Sequence, residues 1–361
     1  MWIVFGVFLA CLSILLGVLL ANSPGNPEPF LDESGKPLAG SLSEKTFVTI
    51  QGAKQGLFIR GRDATNPVLL YVHGGMPEYF LARNYPTRLE DDFTVVWWEQ
   101  RGSGLSYRAD LPPETINLEQ FIRDTIEVTN YLRARFGKEK IYLLGHSGGS
   151  FIALQAAARA PELYFAYLGV AQMVDQLQSE KMAYDYMLQA FRTAGNRKMA
   201  RKLEAAPVSL PGGIPDAYLA LRDAAMHSLG IGTTRAMKSV ITGVFFASLA
   251  CRAYTLPEKI NLWRAKAKSG VSSLWKEIIA TDLAQKVPGL DLPVYFFSGI
   301  YDYTVSYALA KGYLEKLQAP IKGFYTFHQS AHSPMFEEPE KMRHILREDV
   351  LEGTNNLADA H

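Results

Sequence analysis

Cysteine is almost missing from this chain of 361 residues: there are two, Cys11 and Cys251. Cys11 lies in an apolar N-terminus, which argues against an internal disulfide. No Cys/His grouping has the spacing of a structural zinc site, and nothing else in the chain calls for a metal or a cofactor. An excess of either charge is missing too. Thirty-seven Lys and Arg against 36 Asp and Glu leave a formal net charge of +1. That balance argues against nucleic acid as the main partner, because phosphate binding wants a basic surface. Internal repeats are absent. Charged side chains are absent altogether from Met1 to Ala21.

A charge-free apolar run of about 20 residues is long enough to cross a bilayer. A cleaved signal peptide is the competing reading, but it normally has a basic start and a shorter apolar core. Here no Lys or Arg precedes the run, and Ala21-Asn22-Ser23 is a poor cleavage site. The expectation is a single-pass anchor over residues 1–22. The first charges beyond it are Glu28, Asp32 and Glu33, ahead of Lys36, so no positive charge holds that side in the cytoplasm. The rest of the chain is expected on the extracytoplasmic side.

What is present is a core-forming composition, 48% hydrophobic and 20% charged, sufficient for one large domain or one domain with an insertion. Residues 23–43, rich in Pro, Gly and acidic side chains, read as a linker. Phe47–Ile50 and Leu57–Arg60 read as paired strands joined by a turn containing Gly52 and Gly56. Val68–Val72, Phe93–Trp98, Ile141–Leu144 and Tyr167–Val170 are apolar runs of strand length. Leu118–Phe136 has helical periodicity. From Met173 to Gln285 strand signals stop. Val174–Ala194, Arg197–Ala205, Ile214–Leu229, Thr233–Tyr254 and Val271–Ala284 read as helices. Strands return at Leu292–Gly299 and Ile321–Phe327, with helices at Ser306–Leu317 and Pro339–Val350. The expected fold class is α/β: a mostly parallel sheet flanked by helices, in two parts (44–172 and 286–361), interrupted by a helical cap (173–285).

The stretch around which this organises is Leu144-Gly145-His146-Ser147-Gly148-Gly149. A strand runs into Gly-x-Ser-x-Gly and a helix follows, the context in which that pattern exposes a nucleophilic serine on a sharp turn. The Gly148 N–H, at the helix start, points where an oxyanion forms. Serine needs a base, and the base needs a third group to orient it. Asp302 follows the strand at 294–298, and His332 follows the strand at 321–327, in the order serine, acid, histidine. Asp175 is the alternative acid. His328 precedes His332 by four residues but has no third metal ligand beside it. His146 adjoins Ser147, yet adjacent side chains on a sharp turn diverge. His73-Gly74-Gly75 follows another strand, and the N–H of Gly75 is the second expected oxyanion donor.

Taken together, His73-Gly74-Gly75, Glu99-Gln100-Arg101-Gly102-Ser103-Gly104-Leu105-Ser106, Gly145-His146-Ser147-Gly148-Gly149, Asp302 and His332-Ser333-Pro334 resemble the α/β-hydrolase fold. The closest class is the proline iminopeptidase-like (S33) serine hydrolases. The resemblance covers about Phe47 to Leu346, apart from the cap. It implies Ser147 as nucleophile, Asp302 as acid, His332 as base and a cap over the site, acting on a peptide or small-molecule substrate without a cofactor. Three departures stand out. Met76-Pro77-Glu78 replaces the usual Pro and Gly and reshapes the oxyanion loop. Glu99 replaces an aspartate, a change read as keeping the charge. In the family, cap glutamates bind the substrate's free amine, and no motif ties Glu180 or Glu204 to that role.

The expected function is a serine hydrolase working through an acyl-enzyme on the N-terminus of a peptide. A carboxylesterase or lactonase of the same fold is the alternative, and a non-catalytic ligand receptor is a third reading. A dehalogenase or epoxide hydrolase would need Asp in place of Ser147. Most of the cap's large side chains (Met182, Tyr184, Tyr186, Met187, Phe191, Phe245, Phe246) are expected in its own core, the rest lining a pocket.

Overall fold

A computed structural model describes residues 2–269 and 273–360. Helix α1 (Trp2–Ala21) carries no charged side chain, and no residue of Val4–Ala21 is buried. It is long and apolar enough to cross a membrane. The described residues beyond it form an eight-stranded sheet, ordered β1-β2-β4-β3-β5-β6-β7-β8. Its strands are β1 (Leu42–Ile50), β2 (Ala53–Gly61), β3 (Val68–Val72), β4 (Thr94–Glu99), β5 (Ile141–His146), β6 (Tyr164–Val170), β7 (Val294–Gly299) and β8 (Lys322–Phe327). β1 and β2 form an antiparallel hairpin, β2 pairs antiparallel with β4, and from β4 onward every pairing is parallel. This is the α/β-hydrolase arrangement.

Strands β3, β4, β5 and β7 are buried along their whole length, as continuous apolar runs covered on both faces should be. One apolar core lies on the face covered by α2 (Leu118–Phe136) and α3 (Gly148–Arg159), and a second lies on the opposite face. The hairpin turns at Gln51-Gly52. Gly56, read as part of the turn, lies inside β2, where its N–H donates to the Ser106 hydroxyl at 2.8 Å.

Between β6 and β7 the described residues add no strand to the sheet. Helices α4 (Gln176–Thr193), α5 (Arg197–Glu204) and α6 (Asp216–Leu229) pack around a small core of their own. The helix expected over Thr233–Tyr254 does not form as such. Thr234 and Ser239 side chains take the N–H groups of Met237 and Ile241, which a helix would have used, so helical turns begin only near Ile241. α7 (Phe246–Ala250) follows, and then α8 (Leu256–Ser269), a helix not expected from the sequence. Thr255-Leu256-Pro257-Glu258 opens it with a capping box: the Glu258 carboxylate accepts from the Thr255 N–H at 2.7 Å, and Pro257 sits in the first turn where its missing N–H costs nothing. The helix expected over 271–284 splits into Ser273–Ile279 and Leu283–Lys286, and Val271 lies outside the described residues.

Candidate active site

Parallel strands present their C-terminal ends on one edge, and the proposed reacting groups all leave from that edge. Ser147 follows β5, Asp302 follows β7 and His332 follows β8. Ser147 has φ 55° and ψ −127°, a conformation that costs a non-glycine residue about 1–3 kcal/mol. The turn is held by β6, whose Val170 carbonyl accepts the Ser147 N–H at 3.0 Å. It also needs room. A Cβ on Gly149 would stand 1.9 Å from the Val72 carbonyl oxygen, so only glycine lets α3 start this close to β3.

Asp302 and His332 meet each other. His332 Nδ1 lies 2.9 Å from Asp302 Oδ2, with both side chains buried. Asp302 Oδ1 accepts the N–H groups of Thr304 and Val305, each at 2.9 Å, which fixes the carboxylate's orientation. A carboxylate on Nδ1 places the imidazole proton there and leaves Nε2 as the basic nitrogen. Asp175, the alternative acid, instead caps α4 through the Gln178 N–H at 2.9 Å. His328 is exposed, and no group of three or more metal-ligating side chains occurs among the described residues.

The Gly74-Gly75 loop is built against the serine. A Cβ on Gly74 would come within 2.8 Å of the Ser147 Cβ and 3.1 Å of the Gly148 nitrogen. Among the described residues the N–H groups of Gly75 and Gly148 donate to no backbone carbonyl. His73 pins the loop. Burial lowers its pKa to about 4, so it is neutral. Its Nδ1 donates to the Gly74 carbonyl at 2.9 Å, and its Nε2 accepts the Gln100 N–H at 3.2 Å. The Gln100 amide returns a bond to the His73 carbonyl at 2.6 Å. The Glu-Gln-Arg-Gly stretch is therefore scaffolding for the Gly74-Gly75 loop. Arg101 forms a buried two-point pair with Asp124 at 2.7 and 2.8 Å.

Glu99 corrects an expectation. It is fully buried, accepting from the Leu105 N–H and the Tyr254 hydroxyl, and burial pushes its pKa to about 8. At neutral pH it is uncharged, so replacing aspartate by glutamate here does not keep a charge.

Glu78, the departure in the oxyanion loop, enters a network with His146 and Tyr71. His146 Nδ1 lies 2.8 Å from Glu78 Oε2, and its Nε2 lies 3.0 Å from the His332 carbonyl oxygen. Both of these only accept, and the Tyr71 hydroxyl, 3.2 Å from Nδ1, directs its proton to Glu78, so both ring nitrogens carry protons and the ring is an imidazolium. Tyr71 donates to the same Glu78 oxygen at 2.5 Å. Burial opposes charge on Glu78, but the imidazolium and the two hydrogen bonds outweigh it and hold the carboxyl below its ordinary value. Burial likewise opposes charge on His146, and Glu78 overcomes it, raising the histidine. This pair ties the segment after Gly75 to the backbone of His332. Adjacency to Ser147 gives no sign of it in the sequence, although an acid three residues after Gly75 is a visible oddity.

The cap glutamates are both occupied. Glu180 is buried against Arg222 at 2.7 Å and accepts from Tyr218 and Gln176. Arg222 and Gln176 also donate to the Thr304 carbonyl, beside Asp302. Glu204 pairs with Arg192 at the surface.

Residues 64–216 match the family described as serine aminopeptidase, S33. Over 314 residues the chain is 33% identical to probable aminopeptidase YbaC of Bacillus subtilis, covering 86% of this chain and 97% of that one. The chain belongs to the S33 family of α/β-hydrolases. It is a hydrolase. Similar solved structures include a proline iminopeptidase-related protein from Thermus thermophilus (TM-score 0.59, 19% identity, 86% of this chain and 98% of that one). A proline iminopeptidase from Mycobacterium smegmatis is similar as well (TM-score 0.58, 15% identity, again 86% and 98%). At those identities the likeness concerns the fold.

Proposed function

We propose that this S33 hydrolase cleaves an amide at the N-terminus of a peptide through an acyl-enzyme on Ser147. The observation that carries the reading is the buried Asp302–His332 pair at 2.9 Å, on the strand edge where Ser147 is held in a strained turn. Ser147 Oγ attacks the carbonyl carbon while His332 Nε2 takes its proton. The oxyanion is held by the N–H groups of Gly75 and Gly148. His332 then returns the proton to the leaving amine, and water repeats the sequence on the ester to free the acid and regenerate Ser147. The helices between β6 and β7 are proposed as the cap that closes over the serine and excludes water.

One observation favours a second reading, a carboxylesterase or lactonase of the same fold. Arg222 and Arg192 already neutralise Glu180 and Glu204, so neither carboxylate is open to a substrate ammonium. A panel of prolyl and other aminoacyl amides against short and long acyl esters decides between them: amide turnover supports the peptidase, ester turnover alone supports the second reading. Ser147→Ala must abolish both activities and fluorophosphonate labelling while the protein stays folded. Asp302→Asn should lower kcat by roughly 10⁴. Full labelling of Ser147→Ala would remove the nucleophile assignment.

A further inference from the structure

A cavity of about 740 Å³ opens where α1 ends, and none of Ser147, Asp302 and His332 lines it. Its walls carry six arginines: Arg60, Arg62, Arg83, Arg88, Arg252 and Arg343. Three carboxylates share the lining, Glu28, Glu90 and Asp91. Asp91 alone faces Arg62 at 3.0 Å, Arg88 at 2.8 Å and Arg343 at 3.6 Å. Asp92 and Glu340, outside the lining, pair with Arg343 and Arg88. Glu28 reaches Arg252 only at 3.7 Å, and Glu90 accepts from the Trp97 indole and the Thr87 hydroxyl. Among the described residues Arg60 and Arg83 have no carboxylate partner. Arg60 donates to the Glu28 carbonyl and the Ser43 hydroxyl, 4.4 Å above the Phe30 ring, and Arg83 reaches the Ala250 carbonyl at 3.4 Å. The cavity thus concentrates guanidinium groups in a chain whose net charge is only +1.

Its placement is the second observation. Arg252 donates to the Ala21 carbonyl at 3.1 Å, and its own carbonyl accepts the Gly25 N–H at 3.0 Å, so this wall is fastened to the last residue of α1. An apolar helix of this length spans about 30 Å, which puts Ala21 at the boundary between hydrocarbon and headgroups. The neighbouring segment, whose Ala250 carbonyl holds Arg83, exposes Ile241 and Phe246, and α8 exposes Ile260. Large apolar side chains open to solvent beside an arginine-lined cavity suit a face that rests on a membrane.

We propose that this cavity binds the phosphate of an anionic phospholipid headgroup in the membrane that α1 enters. Guanidinium forks match phosphate oxygens two at a time, and Arg60 and Arg83 supply donors that no carboxylate competes for. Phe30, Tyr79 and Ala253 in the lining offer apolar walls for the glycerol end. The inference rests on the membrane reading of α1 and is independent of the hydrolase chemistry.

The test uses the full chain in mild detergent, titrated with dihexanoyl phosphatidylglycerol, dihexanoyl phosphatidylcholine and inorganic phosphate, with Tm as the readout of binding. Phosphatidylglycerol is expected to raise Tm at lower concentration than either of the others. R60Q/R83Q should need roughly ten-fold more lipid for the same shift, with unchanged lipid-free Tm and unchanged hydrolysis of a small activated ester. If the double variant does not fold, R83Q alone carries the test, since Arg83 gives up one long bond. A folded wild type that ignores phosphatidylglycerol, or variants that respond as wild type does, overturns the site. Inorganic phosphate binding as tightly as the lipid overturns the lipid as its source.

Discussion

Glu78 and His146 lie outside the proposed triad, yet their charges join the segment after Gly75 to the loop that carries His332. The two pKa shifts set a pH window for that link. Glu78 is held below its ordinary value of 4.5, so its contribution is present above pH 4.5 and is lost as pH falls through the lowered value. His146 is raised above 6.5, so its contribution is complete below pH 6.5 and is lost as pH rises through the raised value. Glu78→Gln should therefore cost about 2 kcal/mol near pH 5.5 and less at pH 9, read by denaturant unfolding across pH. A loss independent of pH would mean the pair is not charged. Glu99 behaves in the opposite sense. Its pKa of about 8 exceeds the usual 4.5, so the unfolded chain releases a proton that the folded one keeps. Between those values wild-type stability should fall relative to Glu99→Gln by up to ~1.4 kcal/mol per pH unit. Equal stability of the two proteins at pH 5 and pH 8 would show that Glu99 titrates normally.

At the scale of elements, the cap separates side chains that look alike in sequence. Phe191 on α4 is buried in the core of these inserted helices, whereas Tyr186, five residues earlier on the same helix and exposed, stacks on Tyr303 with ring centroids 4.0 Å apart. Tyr303 follows Asp302 directly. Phe191→Ala should lower stability by about 3–5 kcal/mol and reduce turnover of bulky and small substrates in parallel. Tyr186→Ala should leave Tm nearly unchanged and alter the ranking of bulky against small substrates, measured as kcat/KM for each. Parallel losses from both variants would make α4 a structural support only. Helical periodicity places both residues on α4 but does not say which partner each side chain meets. For α8 the reverse holds: its capping box was present in Thr255 to Glu258, but Pro257 and a polar stretch masked the apolar stripe.

For the whole molecule, α1 and the hydrolase body are joined at a docked junction. The buried Lys259 ammonium donates to the Asn22 carbonyl, the Ser23 hydroxyl and the Leu249 carbonyl at 2.6, 3.0 and 2.6 Å. The full chain should sediment with membranes and resist extraction by high salt or alkali. A chain beginning at Asn22 keeps these contacts and should be soluble with undiminished ester hydrolysis. A mature N-terminus near Asn22 in a soluble fraction would identify α1 as a cleaved signal sequence instead.

The strand runs, the order of Ser147, Asp302 and His332, and the charge-free helix are legible in the chain alone. Each is written in neighbouring residues: a turn's glycines beside its serine, or an apolar run at one period. Which carboxylates remain charged, and whom they serve, was decided only by the tertiary structure. Glu78 meets His146, Glu180 meets Arg222, Glu99 is stripped of water, and six arginines from four separate segments close on one cavity. Coulomb energy and desolvation depend on distance and burial in space, and neither quantity is carried by position along the chain.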